Sequence, residues 1–522
     1  MTSAQVKKNV VKSTVSGYAR TFTRMALGLV TFRLLYQGLS TEQFGFWSLL
    51  WAIFGYGILL DFGFGYAAQK RVAELSVKQD WDQLSRVLSS IVGFYCLSAA
   101  VAVLLGIICS GPLVDLFKVS PENRESFRVV LMVFLAGIGL AFPLGIFPEI
   151  LQGQQRMVLA NNLSMATTAA NFCCVVLVMR LKLGFLTLVV LALACVVVPY
   201  LVAAWLAFRH MPGVRLRPAY FSRSALFQTS KFSVFAYLNM LGNVMRNKAD
   251  QPVISSILGV AAVAPYQAGG KIGDMFGQIT RQIADVLSPT AAHLHAKGDT
   301  AALRQMLIGG MRFSILAATP LYVLSAAYMD GLIRLLTGVK EPGGAMLWVG
   351  HLLLLWYYSL VLTHWVFKRM FFMAGQERRM MWQGVTEASC NLALSIGLTF
   401  ALRSVTGVAL GSVIPTMLFG WGLLWGWAAK EAQLTRWGLF CRVVLPAWRG
   451  CLPMVILAVA LRLQPFWASG SNTFLVLAEG AVVGAVGLAG LWRFGLTPED
   501  REKFASKLAG KLRRRAPAPA KA

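Results

Sequence analysis

In the stretch YQAGGKIGDMFGQITRQIADVLSP, Tyr266 to Pro289, the residues Lys271, Asp274, Gln278, Arg281 and Asp285 advance by 3, 4, 3 and 4 positions. On a helix that spacing puts all five on one face. Gly269, Gly270, Gly273 and Gly277 lie alongside, and small residues of this kind let a second helix approach closely. The preceding apolar stretch contributes RNKADQP, in which Arg246 and Asp250 are one turn apart and able to pair while Lys248 points elsewhere. Arg33 and Glu387 are two more ionisable residues set within long apolar runs, and Asn391 stands one turn beyond Glu387, where it could satisfy the carboxyl.

Arginine grips phosphate oxygens in a fork and lysine adds a mobile point charge, so Arg33, Arg246, Lys248, Lys271 and Arg281 suit an anionic, diphosphate-bearing ligand. Asp250, Asp274, Asp285 and Glu387 would pair with these cations or carry protons or sodium ions. A purely structural reading pairs Lys271 with Asp274 and Arg281 with Asp285 along the helix. It leaves Arg33 and Lys248 as costly unpaired charges. No acid pair of catalytic spacing occurs on the short outer loops, so the chain does not read as an enzyme. With five scattered histidines and eight cysteines lacking any C-x-x-C pair, no metal site is expected and the thiols read as buried side chains.

The elements that must hold these charges are membrane helices. Hydrophobic residues make up 57% of the 522 and charged ones only 14%, far too apolar for a soluble chain of this size. Windows of about 20 residues, the length that crosses a hydrocarbon core, predict about fourteen spans in an all-α polytopic protein. Spans at 231–258 and 262–290 are the least hydrophobic, because they carry the charges above. Lysine and arginine collect on one set of loops, which places both termini in the cytoplasm. The net charge of +27 then reads as attraction to anionic membrane lipids, and no soluble segment is large enough for a nucleic-acid fold. No removable signal peptide is evident at the basic N-terminus.

Shifting the first half by 219 residues lays Lys78 and Asp80 on Lys297 and Asp299, and Leu84 and Leu88 on Leu303 and Leu307. Two six-helix bundles in one orientation, related by a pseudo-twofold, are therefore expected at 17–209 and 231–430. A basic N-terminus at 1–16, a cytoplasmic linker at 210–230, an additional helix pair at 444–494 and a tail at 495–522 complete the organisation. In that tail Thr497 should cap a helix whose Phe504, Leu508 and Leu512 face the membrane surface.

By LSTEQFGFWSLLWAIFGYGILLDFGFGYAAQKRVAEL (Leu39 to Leu75) and NKADQPVISSILGVAAVAPYQAGGKI (Asn247 to Ile272), the chain resembles the polysaccharide-transporter branch of the multidrug/oligosaccharidyl-lipid/polysaccharide exporter superfamily. That branch includes the Wzx-type O-antigen flippases. The resemblance implies alternating access around a central cavity, with an undecaprenyl-diphosphate-linked oligosaccharide as cargo in the bacterial inner membrane. It places Asn247, Lys248, Ala249, Asp250 and Tyr266 beside that cavity. Polysaccharide polymerase and chain-length proteins are the partners it suggests, with no cofactor beyond a coupling proton or sodium ion. The competing expectation on the same fold is an ion-coupled exporter of drugs or small molecules, for which so cationic a set is poorly suited.

Overall fold

The computed structural model describes residues 3–224, 226, 234–463, 473–502 and 506, and among them the regular secondary structure is all helical. The first nine helices are α1 (Ser3–Gly38), α2 (Thr41–Tyr56), α3 (Phe64–Lys78), α4 (Trp81–Ile108), α5 (Ser110–Leu116), α6 (Arg124–Leu144), α7 (Ile146–Gly153), α8 (Met157–Leu181) and α9 (Phe185–Arg209). After the linker come α10 (Val234–Lys248), α11 (Asp250–Leu258), α12 (Val263–Ala296), α13 (Thr300–Ala327), α14 (Met329–Thr337), α15 (Gly344–Thr363), α16 (Trp365–Met373), α17 (Glu377–Leu402) and α18 (Thr406–Met417). The chain continues through a π-helical turn at Leu418–Leu424 into α19 (Trp425–Glu431), then α20 (Arg436–Val443), α21 (Leu445–Leu463) and α22 (Thr473–Gly490).

Eleven stretches of described helix are long and apolar enough to cross a membrane. The other three expected spans, at 17–37, 231–258 and 262–290, fall on α1, on α10 with α11, and on α12. These helices carry the charged residues singled out above except Glu387, which lies on α17.

Local chemistry explains several boundaries. Ser40 and Gln43 form a reciprocal capping box at the start of α2. Asp80 caps α4 by accepting from Gln83 N at 3.0 Å, and Asp299 caps α13 by accepting from Ala302 N at 2.9 Å. The two aspartates are the pair that the sequence shift aligned. Their helices are both 28 residues long and begin 219 positions apart. The repeat extends further: the break between α6 and α7 falls at Gly145, and the break between α15 and α16 falls at His364, the same shift again.

Backbone packing groups the residues into two units. The first comprises Met1–Ala268, Leu336–Gly338 and Met381–Ser412, and the second Gly269–Leu335, Val339–Met380 and Val413–Ala522. In the first unit Phe46 meets Phe127 at a centroid distance of 4.5 Å within a fully buried core that includes Leu49, Leu50 and Leu131. Gly45 is required there, since a Cβ would lie 2.0 Å from the backbone oxygen of Val260. The second unit has its own polar and aromatic interior, in which Trp356 donates to Thr416 Oγ1 at 2.9 Å and Tyr322 packs on Tyr358.

In the additional helix pair, Arg462 of α21 holds Asp330 of α14 at 2.7 Å. Thr497 and Asp500 exchange hydrogen bonds as a helix cap, and Arg312 reaches Asp500 at 3.0 Å. The expected surface face of the tail, Phe504, Leu508 and Leu512, lies outside the described residues.

Candidate functional site

In the second unit the polar stripe of α12 forms as the spacing requires, and α15 and α16 supply what it meets. Gly269, Gly270, Gly273 and Gly277 pack against Met346, Gly350, Leu353 and Tyr357 of α15, so closely that a Cβ at Gly269 would come within 2.6 Å of Met346 O. That approach brings the Tyr357 hydroxyl to Asp274, donating to Oδ1 at 3.3 Å, while Gln278 donates to Oδ2 at 3.1 Å. Lys271 stands 4.0 Å from the same carboxylate, the expected pair at its outer limit.

The expected Arg281 to Asp285 pair gives way to other partners. Asp285 is held by Arg369 of α16 at 2.6 Å, and the Arg281 guanidinium lies over the Trp365 ring at 5.5 Å. Both follow from α16 running beside the C-terminal half of α12. Trp365 and Arg369 are one helical turn apart, so they reach Arg281 and Asp285, which are also one turn apart.

In the first unit the expected Arg246 to Asp250 pair is likewise replaced. Pro252 has no N–H to give to Lys248, and its ring crowds that carbonyl, so the helix breaks between α10 and α11 at Ala249. Ala249 itself stays in the right-handed helical region, and its neighbours find partners on other segments. Asp250 instead accepts from the Tyr266 hydroxyl at 2.5 Å, and its other carboxylate oxygen is buried with no hydrogen-bond partner among the described residues. Arg246 reaches Glu387 of α17 at 3.5 Å, with side-chain exposures of 11% and 0%, a buried ion pair rather than a surface one. Lys248 extends along Gly55 of α2. Arg33 is an exposed side chain on α1.

Glu387 does not depend on Asn391. Its second oxygen accepts from Gln383 at 2.6 Å, while Asn391 donates to Gly411 O and Ser412 Oγ of α18. Sequence reasoning missed the rest of this face. Gln383, Glu387, Asn391, Ser395 and Thr399 are all buried and repeat every fourth residue, a spacing visible in the sequence once the hydroxyls are counted with the carboxylate. Tyr357, Trp365 and Arg369 were missed because partners from distant segments leave no local signal.

Asp61 has an anchoring role. It accepts from Gly65 N at 2.9 Å and from the Tyr95 hydroxyl, and so fixes the reversal through Phe62 and Gly63, both at positive φ. Among the described residues no group of three or more His, Cys, Asp or Glu could hold a metal ion.

The chain is helical and membrane-spanning, with helix starts repeated at 219 positions and charged residues on its apolar helices, and solved structures share this fold. The fold matches an inward-facing multidrug-resistance MATE family transporter of the MOP superfamily, with TM-score 0.64 and 16% identity over 81% of this chain and 95% of that one. It matches the lipid II flippase MurJ in an inward closed conformation, with TM-score 0.65 and 14% identity over 91% and 98%. A Vibrio cholerae MATE transporter matches with TM-score 0.56 and 14% identity over 82% and 97%. No curated protein matches in sequence. The chain belongs to the polysaccharide biosynthesis protein family, whose pattern it matches over residues 10–295. It is a multi-pass membrane protein of that family, with a fold similar to the MATE and MurJ structures.

Proposed function

We propose that this chain carries a lipid-diphosphate-linked oligosaccharide across the bacterial inner membrane by alternating access. The cargo is an undecaprenyl-diphosphate-linked unit of O-antigen, capsule or exopolysaccharide. The observation that carries this reading is the set of cations left without a resident carboxylate. Among the described residues Arg281 meets a tryptophan ring and Lys248 lies along Gly55, with no carboxylate within 4.0 Å of either. A charge within the membrane costs about 2.5 to 3.5 kcal/mol on insertion scales, so such residues usually face a partner or water. A diphosphate supplies the missing partner, with Arg33, Arg246 and Lys271 adding to the attraction.

No covalent step is required. The barrier is the transfer of a charged, hydrated head group through hydrocarbon, and polar faces opened to one side at a time lower it. Asp250, Asp274, Asp285 and Glu387 balance the cations between turnovers. Family membership and the MurJ-like fold support this reading; the MATE-like fold suits the rival, an exporter of small molecules. The cationic surplus favours the diphosphate.

Lys271→Ala and Arg281→Ala separate the two. Each should insert normally and abolish surface glycan when it replaces the native protein. Normal glycan in both variants would remove these cations from the mechanism.

A further inference from the structure

Two aromatic rings lie on a shelf of glycines in the second unit. A Cβ at Gly277 would lie 2.6 Å from Tyr357 Cδ1 and 3.5 Å from Trp365 Cη2, and one at Gly273 would lie 2.7 Å from Tyr357 Cδ2. Any side chain at these positions would push Tyr357 off the helix and crowd Trp365. Polar groups frame the rings at both ends. Towards the start of α12, the Tyr357 hydroxyl and the Gln278 amide donate to the Asp274 carboxylate; towards its end, Asp285 is held by Arg369. The side chains of Asp274 and Asp285 are 43% and 44% exposed although both lie within the expected span 262–290. Charges at that depth face a partner or water rather than hydrocarbon. Trp365, set among them and only partly buried, therefore faces water as well. The Arg281 guanidinium covers one face of its ring, 5.5 Å from the centroid.

A flat ring open to water beside carboxylate, amide and guanidinium groups is the chemistry that holds a pyranose. One face of a sugar ring is a patch of C–H groups that packs on an aromatic face as apolar surface, while its hydroxyls both donate and accept. Gln278 and Asp285 stand three residues before and four residues after Arg281, about 4.5 and 6 Å along the helix axis, so hydroxyls at both edges of one stacked ring can reach them. A cationic small molecule suits the place poorly, because Arg281 and Arg369 would repel it.

We propose that Trp365 is the stacking platform for the sugar next to the cargo's diphosphate, and that Arg281 covers the platform until the diphosphate draws the guanidinium away. This rests on the diphosphate reading above. Charge-assisted bonds to phosphate oxygens outweigh an exposed cation–π contact, so the guanidinium turns to the diphosphate when it arrives. Its departure uncovers the indole face. The C–H face of the adjoining sugar then covers the ring, and Gln278, Asp285 and Arg369 bond its hydroxyls. A diphosphate without a sugar fills only half of this site.

The test uses the purified full-length protein in nanodiscs and two isotope-labelled probes, farnesyl diphosphate and farnesyl diphosphate carrying one N-acetylglucosamine. The quantity read is the ratio of their affinities. In wild type the sugar-bearing probe should bind about tenfold tighter, the gain from covering roughly 60 Å² of apolar ring surface. Trp365→Ala should bring the ratio close to one, whatever it does to the affinity for farnesyl diphosphate itself. Trp365→Leu, which keeps apolar bulk without a flat face, should do the same and decides the matter if the alanine variant does not fold. Trp365→Tyr should keep most of the preference.

Farnesyl diphosphate binding with no preference for the sugar-bearing probe in wild type would overturn the proposal and leave the diphosphate reading intact. So would a preference that survives in Trp365→Leu. No binding of either probe by wild type would overturn the diphosphate reading and the proposal with it.

Discussion

Removing Arg246 should be worse for stability than removing Arg246 and Glu387 together. In the native protein the guanidinium stands 3.5 Å from a carboxylate that is fully buried. Arg246→Met leaves that carboxylate without its cation, and breaking one side of a buried pair costs about 3 to 5 kcal/mol. Adding Glu387→Gln removes the orphaned charge while keeping a group that Gln383 can bond, so most of the loss should return. The residual deficit should be about 1 kcal/mol, the worth of the lost hydrogen bonds. Thermal unfolding in detergent, followed by loss of monodisperse protein, ranks the two variants directly. Function should not follow stability: the double variant should melt near wild type and still fail to support surface glycan. If Arg246→Met alone melts as high as the double variant, the buried pair is not the contact described.

Other outcomes follow from packing and charge. Gly45→Ala should lower the melting temperature, since overpacking typically costs about 1 to 3 kcal/mol and the new Cβ meets a backbone oxygen; Gly309→Ala, with open space around it, should not. Asp285→Arg combined with Arg369→Asp should restore the export lost in either single charge reversal, read as surface glycan, because the two groups meet at 2.6 Å. Across the α5 to α6 loop, two hydrogen bonds from Arg124, at 2.6 and 2.8 Å, hold the Asp115 carboxyl below the usual range. A lowered folded-state value stabilises above the ordinary carboxylate value, near about pH 3.9, and that stability is lost as the pH falls through the folded value. Hydrogen exchange in the loop should therefore rise on acidification below about pH 4 in wild type, and Asp115→Asn should abolish that pH dependence.

Periodic features were legible in the sequence, and features made by distant partners were not. The stripe of α12 and its four glycines could be read directly, because helical geometry converts a 3 and 4 spacing into a face without any tertiary information. The repeat was visible through Asp80 and Asp299, since a capping aspartate is fixed by its own helix start. Pairing was misjudged wherever a neighbour along the chain competed with one across it. Arg246 and Asp250 are one turn apart, but Glu387 takes the guanidinium and the Tyr266 hydroxyl takes the carboxylate. Arg281 and Asp285 could have met, but α16 offers a ring and a guanidinium at the same pitch. The buried face of α17 was half seen: Glu387 and Asn391 drew notice as conspicuous residues, while Ser395 and Thr399 pass easily as ordinary members of an apolar helix.

The central claim is that the cargo is a lipid-linked diphosphate. Its most direct test is to deplete the protein in its own host and extract lipid-diphosphate-linked oligosaccharide from the membrane. Completed single units should accumulate on the cytoplasmic side while surface glycan falls. Unchanged precursor and unchanged glycan would contradict the account and leave the small-molecule exporter as the better description.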